Sequence, residues 1–205
     1  MRRELTIALR MTAVTLVLTG LAYPLLTTGV AQLLFPRRAA GSFVEDGAGQ
    51  VIGSELIGQP FARAIYLQPR PSAAGEGWDA ASSGGSNLGP TSRKLRERAQ
   101  AEIERLRREN PGAPGEIPAE LVTTSGSGLD PDLSPAGALW QVRRIAAARK
   151  IDPSRVEAVV RAGEMGRTLG FLGEPSVNVL ALNLALDRQF GAPPKASVPD
   201  APAAP

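Results

Sequence analysis

The chain has 205 residues, 43% of them hydrophobic and 4% aromatic, with a formal net charge of +3. That gives room for one aliphatic-cored domain of ordinary size and an additional segment. Cysteine and histidine are both absent, which excludes disulfides, thiolate nucleophiles, Ser-His-Asp or Cys-His catalysis, ordinary zinc sites and histidine pH switches.

Residues 1–10, "MRRELTIALR", are charged and short. From Met11 to Phe35 the sequence carries no charge, and at helical rise this segment covers about 37 Å, enough for a hydrocarbon core of about 30 Å. A transmembrane helix over 11–35, in contact with membrane lipid, is expected. Pro24 and Gly20 would be costly in a water-exposed helix but are tolerated in spanning helices, where neighbours satisfy freed carbonyls. A secretory signal peptide is the alternative, since Gly29, Val30 and Ala31 offer small residues at a cleavage position. The apolar run is about twice the usual length of a signal core, which favours a retained anchor. Arg2, Arg3 and Arg10 precede the span while Arg37 and Arg38 follow it, so charge alone nearly balances the two orientations.

Beyond the span, residues 36–190 read as one small α+β domain. Short β-prone runs at Ser42–Glu45, Gln50–Ile52 and Ala64–Leu67, separated by turn signals such as Asp46-Gly47, predict a short antiparallel sheet. Pro69 to Pro90 is dense in Gly, Ser and Pro. Thr91 or Ser92 can cap the next helix, "RKLRERAQAEIERLRREN", on which Leu95, Ala99, Ile103 and Leu106 form one stripe. The remaining faces mix arginine with glutamate, Arg98 and Glu102 being four apart, the pattern of a solvated, ion-paired surface; no nucleic-acid partner is expected. Pro111, Pro114 and Pro118 end that helix. Ser134-Pro135 opens a further helix, "AGALWQVRRIAAARK", with Ala138, Val142, Ile145 and Ala146 at helical spacing. Asp152-Pro153 repeats the device before "SRVEAVVRAG". A last helix is expected from Asn178 to Gln189 with Leu180, Leu184 and Asp187 in phase, although "VNVLALNLAL" is also compatible with a strand at its start. The Ala/Pro-rich tail, 191–205, is expected to be disordered.

Three stretches invite a functional reading. The loop "ASSGGSNLGPTS", Ala81 to Ser92, has the glycines and hydroxyls of an anion cradle leading into a helix start. It is equally compatible with a linker or with an ordered recognition loop, since glycine permits close backbone approach while Ser83, Ser86 and Asn87 offer hydrogen bonds. In "SGSGLDPDLSP", Asp130 and Asp132 can attract cations or serve turns and caps. Ser92 with Lys94 has the residue types of a nucleophile and base. No G-x-x-x-x-G-K-[ST] loop and no aspartyl-phosphate signature of a P-type pump occurs.

Six phrases in order behind an apolar N-terminus resemble one family, the KdpC subunits of the bacterial Kdp potassium-transporting ATPase. They are "GSELIGQPF" (Gly53 to Phe61), "RPSAAG" (Arg70 to Gly75), "ASSGGSNLGPTS", "SGSGLDPDLSP" (Ser125 to Pro135), "QVRRIAAAR" (Gln141 to Arg149) and "GEPSVNVLALNLALD" (Gly173 to Asp187). The family pattern often carries histidine where this chain has Asp132.

The resemblance implies a non-catalytic subunit of an inner-membrane potassium-uptake pump, single-pass, with residues 1–10 cytoplasmic and the soluble domain periplasmic. Its implied partners are a potassium-channel-like subunit and the P-type ATPase subunit that hydrolyses ATP. The family is described as a catalytic chaperone raising the ATP affinity of that ATPase subunit. No cofactor or metal is expected on this chain itself, because ATP is cytoplasmic and a domain beyond roughly 30 Å of hydrocarbon cannot touch it. Arg70, Ser72, Ser86, Asn87 and Asp130 are the candidate interface residues. The alternatives are an anchored periplasmic module binding a small anion or peptide, and an anchored hydrolase.

Overall fold

A computed structural model describes residues 1–47 and 49–192; the expected disordered tail, past Ala192, lies outside the described residues. The chain divides into two compact units, one from Met1 to Ser54 and one from Glu55 onward.

The first unit is dominated by an unbroken helical stretch, α1 (Arg2–Val17), a π-helical turn (Leu18–Ala22) and α2 (Tyr23–Leu34). It is long and apolar enough to cross a membrane, with a mean hydropathy of 1.8 over its most apolar window, and none of that window is buried. The helical stretch begins at Arg2, and the charge-free run from Met11 forms its later part. The π-helical turn lies directly before Pro24, whose missing N–H would otherwise have bonded the preceding turn, and the Tyr23 N–H bonds back to the Leu18 carbonyl. Threonine hydroxyls keep their bonds inside the helix: Thr6 donates to the Arg2 carbonyl (2.9 Å), Thr19 to Thr15 (2.8 Å) and Thr27 to Tyr23 (2.9 Å). After a one-turn helix α3 (Pro36–Ala39), β1 (Phe43–Glu45) and β2 (Val51–Ser54) form the expected antiparallel hairpin, with a register shift between Val44 and Glu45.

The second unit holds the core. Its elements are α4 (Arg93–Glu109), a 3-10 turn (Ala119–Leu121), β3 (Asp132–Leu133), α5 (Pro135–Trp140), α6 (Val142–Arg149), α7 (Pro153–Ala162), β4 (Glu164–Met165), β5 (Ser176–Asn178) and α8 (Val179–Phe190). The three short strands make an antiparallel sheet in the order β3-β5-β4, so the α+β expectation is met by two small sheets rather than one. Leu67, Leu106, Leu121, Leu133, Trp140, Ile145, Val156, Val160, Val177, Leu182 and Leu186 are buried together.

The caps form where the sequence places them. Ser92 accepts from the Leu95 N–H, Ser134 from Gly137 and Asp152 from Ser154. On α4, Ala99, Ile103 and Leu106 face the core as expected. Glu102 pairs with Arg105, one turn on, rather than with Arg98.

Three expectations need correction. The helix expected from Pro135 to Lys150 is divided at Gln141, whose backbone (φ −89°, ψ −8°) departs from the helix. In α8 the face against the core is Val179, Leu182 and Leu186; Leu180 is buried, but Leu184 is only half-buried and Asp187 is held in an ion pair. Leucines on nearly every side of this helix leave its phase undetermined by spacing alone.

The third correction matters most for the interior. Ala64–Leu67 is not a strand. Its backbone is bonded instead by side chains. The Asn183 amide accepts from the Leu67 N–H (2.7 Å) and donates to the Leu67 carbonyl (2.9 Å), and the Gln141 amide does the same to Gln68 (2.9 and 3.0 Å). Arg144 donates to the carbonyls of Ala64 (2.6 Å) and Tyr66 (3.0 Å), to Asn110 Oδ1 (2.9 Å) and to Gln141 Oε1 (2.6 Å). Arg149 donates to the Ile65 carbonyl (2.9 Å) and to Asp187 (2.6 Å), which in turn accepts from the Tyr66 hydroxyl (2.8 Å). Burial pushes the Arg144 guanidinium down to about 10, because its bonds go to neutral acceptors and desolvation disfavours the charge. Burial, then the bond to Asp187, raises the Tyr66 hydroxyl above its ordinary value.

Candidate partner interface

Two loops far apart in sequence, one running from Pro69 to Ser92 and one from Ser125 to Asp132, lie against each other within the second unit. Ser72 is the knot between them. Its hydroxyl donates to the Gly128 carbonyl (2.6 Å) and accepts from the N–H groups of Ala74 (3.1 Å) and Trp78 (2.8 Å). Alongside it, Arg70 Nη1 meets Asp130 Oδ2 at 3.0 Å, both side chains being partly shielded. The other Asp130 oxygen accepts from the Asp132 N–H (3.1 Å), closing a turn.

The glycine-rich stretch is an ordered part of this layer. The Gly84 N–H donates to the Ser127 carbonyl (2.8 Å), which also accepts from the Ser83 hydroxyl (3.0 Å). A Cβ on Gly128, whose φ is +68°, would lie 2.5 Å from the Gly84 carbonyl oxygen, and one on Gly85 would lie 2.9 Å from that of Gly126. The two backbones approach so closely that no other residue fits without displacing one of them. The linker alternative is thereby set aside for Ser83, Gly84 and Gly85.

The candidate residues therefore separate into two groups. Arg70 and Asp130 are paired with each other, while Ser72 ties the same two loops through backbone groups of Gly128, Ala74 and Trp78. Ser86 sits apart, its hydroxyl 3.5 Å from Arg98 Nη2. Asn87 is exposed, in the left-handed region at φ +48°, so its amide is presented outward by a backbone that only a few residue types adopt readily.

At the start of α4 the Ser92 hydroxyl accepts from the Leu95 N–H (3.4 Å) as the helix cap. Asp132 accepts from Ser176 (3.0 Å) and from Asn178 (3.0 Å), and among the described residues no group of three or more acidic side chains is placed to hold a metal. A further surface is not legible in the sequence. Between β4 and β5 a hairpin exposes Leu169, Phe171 and Leu172; the glycines among them hide it from any helical or alternating pattern.

These features define a class: an α+β chain with an apolar N-terminal helix of membrane-spanning length and a folded unit whose loops are tied together by side-chain hydrogen bonds. A family model described as "K+-transporting ATPase, c chain" matches residues 5–188, and the chain belongs to this KdpC family. It is 66% identical over 190 residues to a potassium-transporting ATPase KdpC subunit of Myxococcus xanthus, covering 93% of this chain and 90% of the relative. To the KdpC subunit of Methylobacterium nodulans it is 56% identical (85% and 91% covered), and to that of Rhodospirillum rubrum 53% (93% and 98%).

Proposed function

We propose that this chain is the accessory, non-catalytic subunit of an ATP-driven potassium-uptake complex. The Arg2–Leu34 helix anchors it in the inner membrane with the first residues cytoplasmic, and the unit from Glu55 onward works in the periplasm. Its partners are a potassium-channel-like subunit and a P-type ATPase subunit, which it helps to assemble and stabilise. The observation that carries this reading is the family match from residue 5 to residue 188, which takes in both the apolar helix and the folded unit.

An effect on ATP affinity, in this arrangement, is linkage rather than ligation. The chain binds one conformation of its partners better than another and so shifts their nucleotide affinity by the same coupling free energy. The ordered loop layer supplies the contact surface, with Asn87 at its exposed edge and Arg70, Ser72 and Asp130 fixing its shape.

Co-purification tests this reading. The tagged full-length chain, extracted from membranes together with its partners, should retain a polytopic subunit in stoichiometric amount, and Asn87→Leu combined with Arg70→Glu should lower that recovery. Because Arg70→Glu also places two carboxylates together, the pair-reversing Arg70→Asp with Asp130→Arg should restore the loop and recover part of the loss. Undiminished recovery and undiminished potassium-stimulated ATPase activity in the Asn87→Leu, Arg70→Glu variant would count against this surface.

A further inference from the structure

Past Ala192 the sequence reads "PPKASVPDAPAAP", with too little apolar bulk to form a core of its own. Its prolines are nevertheless in register. Pro193, Pro199, Pro202 and Pro205 share one phase of three, and a polyproline II helix has three residues per turn, so this spacing sets them along one edge. Such a segment is preorganised and leaves its carbonyls free to accept, which is why aromatic-lined grooves take proline-rich chains.

The folded unit has a groove of that kind. A cleft of about 410 Å³ between the 60–78 strip and α4 is lined by Phe61, Pro69, Pro71 and Trp78, with Glu102 and Glu109 beside them. Its volume lies within the roughly 300–1,000 Å³ of ligand pockets and suits part of the 193–205 run. Trp78 is fixed in place: its φ is +53° and its backbone N–H donates to the Ser72 hydroxyl (2.8 Å). A bulky residue in the left-handed region is an outlier that persists only where surrounding structure imposes it. Among the described residues nothing accepts from the Trp78 indole N–H, a donor that a polyproline II carbonyl can satisfy.

The end of α8 lies next to this groove. The Gly191 carbonyl accepts from Arg149 Nη1 (3.2 Å). The Arg149 guanidinium lies over the Tyr66 ring, 5.4 Å from its centroid, and that ring meets Phe61 edge-on at 5.5 Å. At about 3.1 Å per residue the run from 192 to 199 spans roughly 25 Å, more than these three contacts laid end to end. The tail therefore reaches the groove of its own chain, and the short tether gives it a local concentration on the order of millimolar.

Charge agrees with this occupant. Glu102 and Glu109 share one cation, Arg105, which leaves one negative charge in excess. Lys195 is the one base between 193 and 205, and Asp200 falls about 15 Å further along and on a different edge.

We propose that residues 193–205 fold back on their own chain and dock in this groove as a polyproline II segment, with Pro199 and Pro202 on the aromatic wall and Lys195 beside Glu102 and Glu109. Ser72 also lines the cleft, so the docked tail buttresses the knot that ties the two loops together. The contact lies within one chain and stands independently of the subunit reading above.

The test uses the full-length chain purified in detergent, with the photo-crosslinking amino acid p-benzoylphenylalanine in place of Ala201. After irradiation the monomer band is digested and its crosslinked peptides are identified by mass spectrometry. The 193–205 segment should be joined to a peptide from 60–78 or 93–109. Crosslinks to any other part of the chain, crosslinks only in a dimer band, or none at all would overturn the inference. Pro199→Ala with Pro202→Ala changes only the tail and should lower the yield at least roughly 3-fold. An undiminished yield in that variant would overturn the inference as well.

Discussion

The helix Arg2–Leu34 and the segment 64–68, which runs from an exposed Ala64 to the buried Leu67 and Gln68, satisfy their polar backbone in opposite ways. In the helix every bond is internal, down to threonine hydroxyls that donate to their own preceding turn, so the segment needs no partner and can present apolar side chains in all directions. In 64–68 the backbone has no partner strand, and Asn183, Gln141, Arg144 and Arg149 take that part. The first solution depends on nothing beyond its own sequence. The second depends on side chains 73 to 116 residues away, so a single substitution can undo it.

The largest expected effect follows from that dependence. Arg144→Met should leave the carbonyls of Ala64 and Tyr66 and the oxygen of Asn110 without donors, lowering the unfolding free energy of the detergent-solubilised chain by roughly 3 kcal/mol or more. Arg144→Lys should fail almost as badly, because one ammonium cannot span acceptors that a planar guanidinium bridges. A loss below about 0.5 kcal/mol in urea titrations, within the range of an ordinary surface change, would show that the strip needs no such bridge.

A smaller effect is expected at Tyr66. Tyr66→Phe removes the bond to Asp187 and should cost about 1 kcal/mol near neutral pH. The folded-state value of the hydroxyl is raised. Its contribution is therefore complete below the unfolded value near 10 and is lost as pH climbs through the higher folded value. The stability gap between wild type and Tyr66→Phe should close above pH 10. Arg144 works in the reverse sense: its value is depressed, so the cost of burying its charge is relieved as pH rises past about 10. Both proteins carry Arg144, so that contribution cancels in the comparison. A gap that widened in this range would contradict the assigned role of the hydroxyl.

What can be read from the sequence is local. Ser92, Ser134-Pro135 and Asp152-Pro153 mark helix starts because a cap acts within three residues, and the apolar stretch is visible because its length alone carries the argument. The run Ala64–Leu67 misleads because a short, continuous β-prone apolar run suggests an extended backbone without saying what will bond it. The break at Gln141 is likewise invisible in the sequence: the residue whose backbone interrupts the helix also holds Gln68, 73 positions away, through its side chain. At the candidate interface the phrases themselves are legible. That Arg70 meets Asp130 across sixty positions, leaving Asn87 as the outward member, is not. The 164–174 hairpin escapes because its glycines interrupt every periodicity on which a reading could rest.

The helix and the folded unit also make opposite predictions about accessibility, and this bears most directly on whether the chain acts by contact from outside the cytoplasm. The chain has no cysteine, so Asn87→Cys and Glu4→Cys each introduce one reactive thiol. With a membrane-impermeant maleimide applied while the inner membrane is intact, Asn87→Cys should be labelled, and Glu4→Cys only after that membrane is broken. Labelling of Asn87→Cys only after rupture would place the folded unit beside the cell's ATP and contradict the account.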